Sequence, residues 1–358
     1  MALEADIVIA GAGAAGLTLA AALTRPGRQV SVLVLEPRAI APNPRRWVFP
    51  AEPGHALSRH VTASFDQVSL GGADRPLSKV RLHHVEAASI QSEALDQIAA
   101  SPQARIEEGA RIDALVNEPK SVRLETSLGT ARARLFVDTR PGAAGSVSGR
   151  AWTQIAWIAL LPAADGRTPG FTLSPAFAEA GGVGFTQTLI LPDGEAVVEA
   201  MRLARPGDQG DGLEGRLNAA IVRLGGDPAS VMRRRLVCPI RPGERDSLRG
   251  AVMHARAGAG GIRFAPGMEA LRLARWADAA AARFVERGRM TPPPGHAAPA
   301  RAAAARILRR LETGPQPAAD WLNAVLARSS GDAALRFLAG APGWRDSPGF
   351  IAPARLSA

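Results

Sequence analysis

Six residues near the start of the chain, Gly11-Ala12-Gly13-Ala14-Ala15-Gly16, have the types and spacing to cradle a phosphate. Glycine at 11 permits a tight turn, glycine at 13 lets backbone approach a pyrophosphate, and glycine at 16 lets a following helix lie against a preceding strand. The free N–H groups at the helix start, around Ala14 and Ala15, then face the anion. Glu36 follows Gly16 by twenty residues, the distance at which an acid reaches the ribose hydroxyls of an adenosine.

These residues work only if particular elements position them. Ile7-Val8-Ile9-Ala10 is an apolar run suited to a buried parallel strand. Leu17 to Leu23 is rich in Ala and Leu and predicts a helix. Gln29 to Leu35 predicts a second strand ending at Glu36, which completes a strand–turn–helix–strand unit. A membrane span would need about 20 apolar residues, and this run is interrupted by glycine and closed by Arg25. A secretory signal would need a basic start, where Glu4 and Asp6 stand instead.

Downstream, 37–60 is rich in Pro and Arg and predicts a loop, and 89–100 an amphipathic helix. Strands are predicted over 104–118 and 121–140 with a hairpin turn near Gly129, the second closing on Asp138-Thr139-Arg140. A separate sheet is expected from 150–161 and from two strands within 182–204 joined by Pro192-Asp193-Gly194. A helix over 210–226 and a strand and turn over 230–244 follow. A strand, a glycine-rich loop and a long helix from near Met268 span 250–285, and the remainder is helical. That long helix presents Arg272, Arg275 and Arg283 together with Trp276 and Phe284, which reads as a solvated face or as one lying on a membrane.

The 358 residues carry a formal charge of +10, and all but two of the 43 basic residues are arginine. Such a skew fits a GC-rich coding sequence, and it also fits attraction to acidic lipid or phosphate. No basic run interleaved with aromatics supports nucleic-acid binding. The single Cys238 excludes a disulfide framework or a cysteine-held cluster within one chain and suits a cytoplasmic compartment. The absence of tyrosine excludes a Tyr–Lys proton relay, and no histidine spacing predicts a metal site. His83-His84 reads as a solvated or hydrogen-bonded pair more readily than as a catalytic one.

In this order the pieces resemble the flavin-dependent lycopene cyclases. Arg46-Trp47-Val48-Phe49 is similar to the family's Thr-Trp-Ser-Phe loop, and Asp138-Thr139-Arg140 with Gly142 to its Asp-x-Arg-Gly. Trp152-Thr153-Gln154 through Trp157, "FTQTLILPDGEAVVEA", "VCPI" at 237–240 and Arg336-Phe337-Leu338 resemble further family blocks. The resemblance implies FAD held by Gly11, Gly13, Ala14, Ala15, Gly16, Glu36, Arg46, Asp138, Gly267 and Met268, with NADPH as a candidate reductant. It implies a p-hydroxybenzoate hydroxylase-like α/β fold: a discontinuous Rossmann-like FAD-binding domain (1–150 and 250–290), an inserted mixed or antiparallel substrate sheet (151–249) and a helical C-terminal region (291–358).

Glu199 stands where the family has its first acid, and the run "AVVEAM" suits a buried proton donor. The implied reaction is acid-assisted cyclisation of an apolar polyene or isoprenoid-type substrate, using reduced flavin without net redox change. The implied location is cytoplasmic, with peripheral contact at the inner membrane face. Two family motifs are altered: Ala200 and Met201 replace the second acid and its Thr, and 263–270 retains only Pro266-Gly267 of the flavin-proximal motif. A flavin monooxygenase or reductase acting on a smaller apolar molecule, and a non-catalytic FAD-binding homologue, therefore stay open as alternatives.

Overall fold

In a computed structural model of the chain, residues 3–140, 152–205, 207–240, 247–255, 267–294, 297–341 and 346 are described. The run Ile7–Ala10 closes the strand Leu3–Ala10, and all four residues are fully buried. This strand pairs in parallel with Val32–Glu36 on one side and with Gly129–Asp138 on the other. Outside these lie Ala104–Glu108 and the short strand Val252–His254, so the chain returns to this sheet after a long excursion. Central parallel strands are covered on both faces, which explains their unbroken apolar runs.

Seven helices occur among the described residues: α1 (Ala14–Leu23), α2 (Ala87–Ala99), α3 (Leu213–Arg223), α4 (Ala270–Arg287), α5 (Ala298–Thr313), α6 (Pro315–Arg328) and α7 (Gly331–Leu338). On one face of the first sheet, α1, α2 and α4 bury Leu19, Leu23, Ile98, Leu273 and Trp276 against Ile7, Ile9 and Val34. The hairpin strand Val122–Thr126 covers the other face. Trp276 and Phe284 are both buried in the α1–α4 core, so the aromatic side of α4 faces protein. None of the described helices is long and apolar enough to cross a membrane.

A second, mostly antiparallel sheet is built around Thr153–Leu161, Ala196–Ala204 and Gly182–Ile190. Strict alternation sorts its residues. Ala196, Val198, Ala200 and Ala204 pack under α3, whereas Val197, Met201 and Leu203 join α5, α6 and α7 in the largest core cluster. The α/β class and the inserted sheet are as expected, but Gln67–Leu70 and Ala73–Pro76 also belong to this second sheet, although they fall within 1–150.

The expectation of a loop over 37–60 is corrected. Arg46–Ala51 is a strand, and Ser58–His60 a short 3-10 turn. The strand forms the edge of a three-stranded sheet with Arg81–Glu86 and Val61–Phe65. An edge position tolerates Pro50, and it was proline and arginine that disguised the strand. One face of this small sheet (Trp47, Phe49, Val85) packs on α4, and the other (Val48, Leu82) joins the largest core. It therefore lies between the parallel sheet with its helices and the second sheet.

Candidate active site

The glycine turn sits where the strand Leu3–Ala10 feeds α1. Gly11 has φ +99°, a conformation that disfavours any side chain, and its N–H donates to the Leu35 carbonyl at 2.9 Å. A Cβ on Gly16 would lie 2.0 Å from the Gly11 carbonyl oxygen, so helix and turn touch without room for a methyl. Around Gly13, by contrast, a Cβ would meet nothing within 4 Å. Gly13 is the N-cap of α1, and no side chain caps the helix there. The first-turn N–H groups of Ala14, Ala15 and Gly16 thus start a helix with an open, side-chain-free approach, as a pyrophosphate requires.

Glu36 reaches this turn through its Oε2, which accepts from the Ala12 N–H at 2.8 Å. Asp138 ends the neighbouring strand, in register with Ala10. It is buried and binds the Arg140 guanidinium at 2.9 and 3.1 Å. Thr139, which the motif reading passed over, braces the turn: its Oγ1 donates to the Ala10 carbonyl at 2.8 Å, with the Gly11 carbonyl at 3.1 Å. Gly267, with φ +82°, presses on Trp47, whose Cβ would be 2.2 Å from an added Cβ. Trp47 shares a cluster with Ala270 and Leu271 of α4, against which Ala14 packs. Met268 is buried in the largest core. The structure therefore gathers the three glycines, Glu36 and Asp138 at one sheet end, with Gly267 near the start of α1. These residues fit a dinucleotide by their open glycine cradle.

Arg46 is placed differently. Its guanidinium makes a two-pronged ion pair with Glu195, Nε–Oε1 2.7 Å and Nη2–Oε2 3.1 Å, which ties the three-stranded sheet to the hairpin end of the second sheet. His84 lies beside this pair and is 1% exposed. Its Nδ1 bonds the Thr62 hydroxyl at 2.6 Å, and its Nε2 is buried without a partner. Burial, aided by the nearby Arg46 charge, holds its pKa down at about 4, so His84 is neutral. The pair His83-His84 is accordingly buried rather than solvated.

Glu199 occupies the middle of a strand in which all nine residues are buried, and it is 2% exposed. It faces the largest core, between Val197 and Met201. Burial pushes its pKa up to about 8, against the opposing pull of the Arg45 charge and of a hydrogen bond from Gln187. A contrast on the same strand is informative. Arg202, on the other face and 5% exposed, is neutralised by Glu179 at 2.5 Å and Asp208 at 3.1 Å. That network is structural, whereas Glu199 makes no ion pair among the described residues and keeps its proton at neutral pH. Gln187, which the sequence motif includes without assigning it a role, donates from Nε2 to Glu199 Oε2 at 2.8 Å. The block that starts at Phe185 contains Gln187, but its role depends on the register that sets Gln187 opposite Glu199.

A groove of about 270 Å³ between α1, α2 and α4 includes none of these residues. The expected loop at 256–266 and the stretch after Arg140 lie outside the described residues. Among the described residues no cluster of His, Cys, Asp and Glu could hold a metal.

A search of the curated proteins finds no match. The solved structures do show similar folds. p-Nitrophenol 4-monooxygenase PnpA from Pseudomonas putida DLL-E4 is 15% identical, covering 98% of this chain and 95% of that one, with a TM-score of 0.58. The halogenase PltM is 13% identical (94% and 82% covered, TM-score 0.60). A flavoprotein/dehydrogenase from Cytophaga hutchinsonii is also 13% identical (96% and 95% covered, TM-score 0.58). At these identities the likeness shows a shared fold. A family model described as lycopene cyclase protein matches residues 6–340, nearly the whole chain, and with that match the chain belongs to the lycopene cyclase protein family.

Proposed function

We propose that the protein is an FAD-dependent cyclase in which Glu199 donates a proton to the terminal double bond of an apolar polyene or isoprenoid-type substrate. The observation that carries this reading is a carboxylic acid, 2% exposed and facing an apolar core, whose burial raises its pKa to about 8. Proton transfer from such an acid generates a carbocation that a neighbouring double bond of the substrate attacks. Loss of a proton from the ring returns the balance, so the reaction is an isomerisation. The dry surroundings of Val197, Met201 and Phe185 exclude the water that would otherwise capture the cation. Gly11, Gly13, Gly16 and the start of α1 would hold the cofactor pyrophosphate, and Glu36 its ribose. Reduced FAD, when bound, supplies electron-rich stabilisation of the cation, with NADPH as the reductant that keeps it reduced.

The test begins with a visible spectrum of the gently purified protein, followed by anaerobic reduction and addition of lycopene. Bound FAD and a ring-bearing product of unchanged mass are expected, and Glu199→Gln should lose the product while retaining the flavin. The likeness to a monooxygenase fold favours one second reading, oxidation or reduction of a smaller apolar molecule. Stoichiometric consumption of NADPH with a change of product mass would select it.

A further inference from the structure

Gln187 and Glu199 face each other across two antiparallel strands, on the side of the sheet occupied by Phe185, Leu189, Val197 and Met201. Gln187 is 4% exposed. One end of its amide bonds the Glu199 carboxyl, and the other end, Oε1, is buried without a partner. An unmade hydrogen bond in an apolar interior costs stability, and natural cores rarely keep one. Turning the amide over leaves the count unchanged: Oε1 would accept the Glu199 proton and Nε2 would be left unbonded. From the three-stranded sheet, the unpartnered His84 Nε2 sits on the face that joins the same apolar cluster through Val48 and Leu82. A pure hydrocarbon can satisfy neither atom.

We propose that Gln187 is the polar anchor of the substrate site, fixing the Glu199 carboxyl with one end of its amide and accepting a hydrogen bond from a substrate hydroxyl with the other. The preferred substrate is then an apolar chain with a hydroxyl near the double bond that receives the proton, rather than an unsubstituted hydrocarbon. This inference rests on the assignment of Glu199 as the proton donor and goes beyond it by naming what else the site reads.

The experiment compares two ligands in identical detergent micelles, lycopene and the same polyene carrying one terminal hydroxyl. Binding to the flavin-loaded protein is followed by quenching of its fluorescence, which needs no turnover. The wild type should bind the hydroxylated polyene roughly 5- to 10-fold more tightly, the worth of one buried hydrogen bond. Gln187→Leu should bind both alike, and Gln187→Met serves if the leucine variant does not fold. Because the Gln187 hydrogen bond holds the Glu199 pKa down, its loss should also move the alkaline transition of Glu199 to higher pH. Equal affinities in the wild type, or an undiminished preference in both variants, would overturn the inference. A wild type that prefers the hydroxylated ligand but closes no ring supports the anchor and overturns the cyclase reading. Ring closure on both ligands with equal affinity does the reverse.

Discussion

Replacing Glu199 by glutamine keeps the shape of the side chain and removes its ionisation, which isolates the consequence of burying an acid. In the unfolded chain the carboxyl titrates at its ordinary 4.5, and in the folded protein at about 8. The folded state therefore binds the proton more tightly, and this group subtracts stability as pH rises from 4.5 to about 8. Between pH 6 and pH 9 the added loss is roughly 2–3 kcal/mol, taking about 1.4 kcal/mol per pH unit and levelling above 8. Other groups titrate over the same range, but they do so equally in both proteins. The assay is urea unfolding of wild type and Glu199→Gln at pH 6 and pH 9. The difference in unfolding free energy between the two should shift by that amount in favour of the variant at pH 9. The same variant should slow ring closure by about 10²–10⁴, the usual worth of a positioned acid. A wild type that loses no more stability than the variant on going from pH 6 to pH 9 would falsify the claim that Glu199 is a buried, protonated acid.

Four further variants test other parts of the structure. Gly13→Ala should leave the melting temperature unchanged, since its Cβ enters open space, yet reduce FAD retained on purification. Gly16→Ala should cost about 1–3 kcal/mol of stability, because its Cβ collides with the Gly11 carbonyl; thermal melts and flavin content separate the two. Arg46→Ala should cost about 3 kcal/mol by stranding the half-buried Glu195, and a double-mutant cycle with Glu195→Ala should show coupling of about 1 kcal/mol or more. Asp332 joins α7 to the 78–80 turn by accepting from Ser78 N at 3.1 Å, Ser78 Oγ at 2.7 Å and Lys79 N at 3.0 Å. Burial alone would raise its pKa, but these bonds outweigh burial and lower it. Its contribution is present above the unfolded value of 3.8 and lost as pH falls below it. Asp332→Asn should cost about 1–3 kcal/mol at neutral pH and flatten acid unfolding, as circular dichroism would record.

Much of the nucleotide side was legible in one dimension. The order of apolar run, glycines, helix former and acid dictates dihedral angles and faces over about thirty residues, where neighbours in sequence are neighbours in space. The hairpin turns at Gly129 and Gly194 were legible for the same reason, and Gly194 has the positive φ that a glycine allows. The strand Arg46–Ala51 was not, because its pairing partner starts thirty residues later and its own composition is that of a loop.

The candidate acid divides along the same line. Its setting in an unbroken apolar run is a property of the local sequence, and residues 196–201 alone point to an interior strand. Which side chains meet it does not. Gln187 reaches Glu199 because hairpin register sets them opposite each other, and a slip of one residue would turn Gln187 to the α3 face. Arg46 meets Glu195 across 149 residues of chain because three layers stack in a particular order. Local spacing encodes turns, periods and faces. Partners, and with them the desolvation that keeps a proton on Glu199, arise only when distant segments close over one another and exclude water.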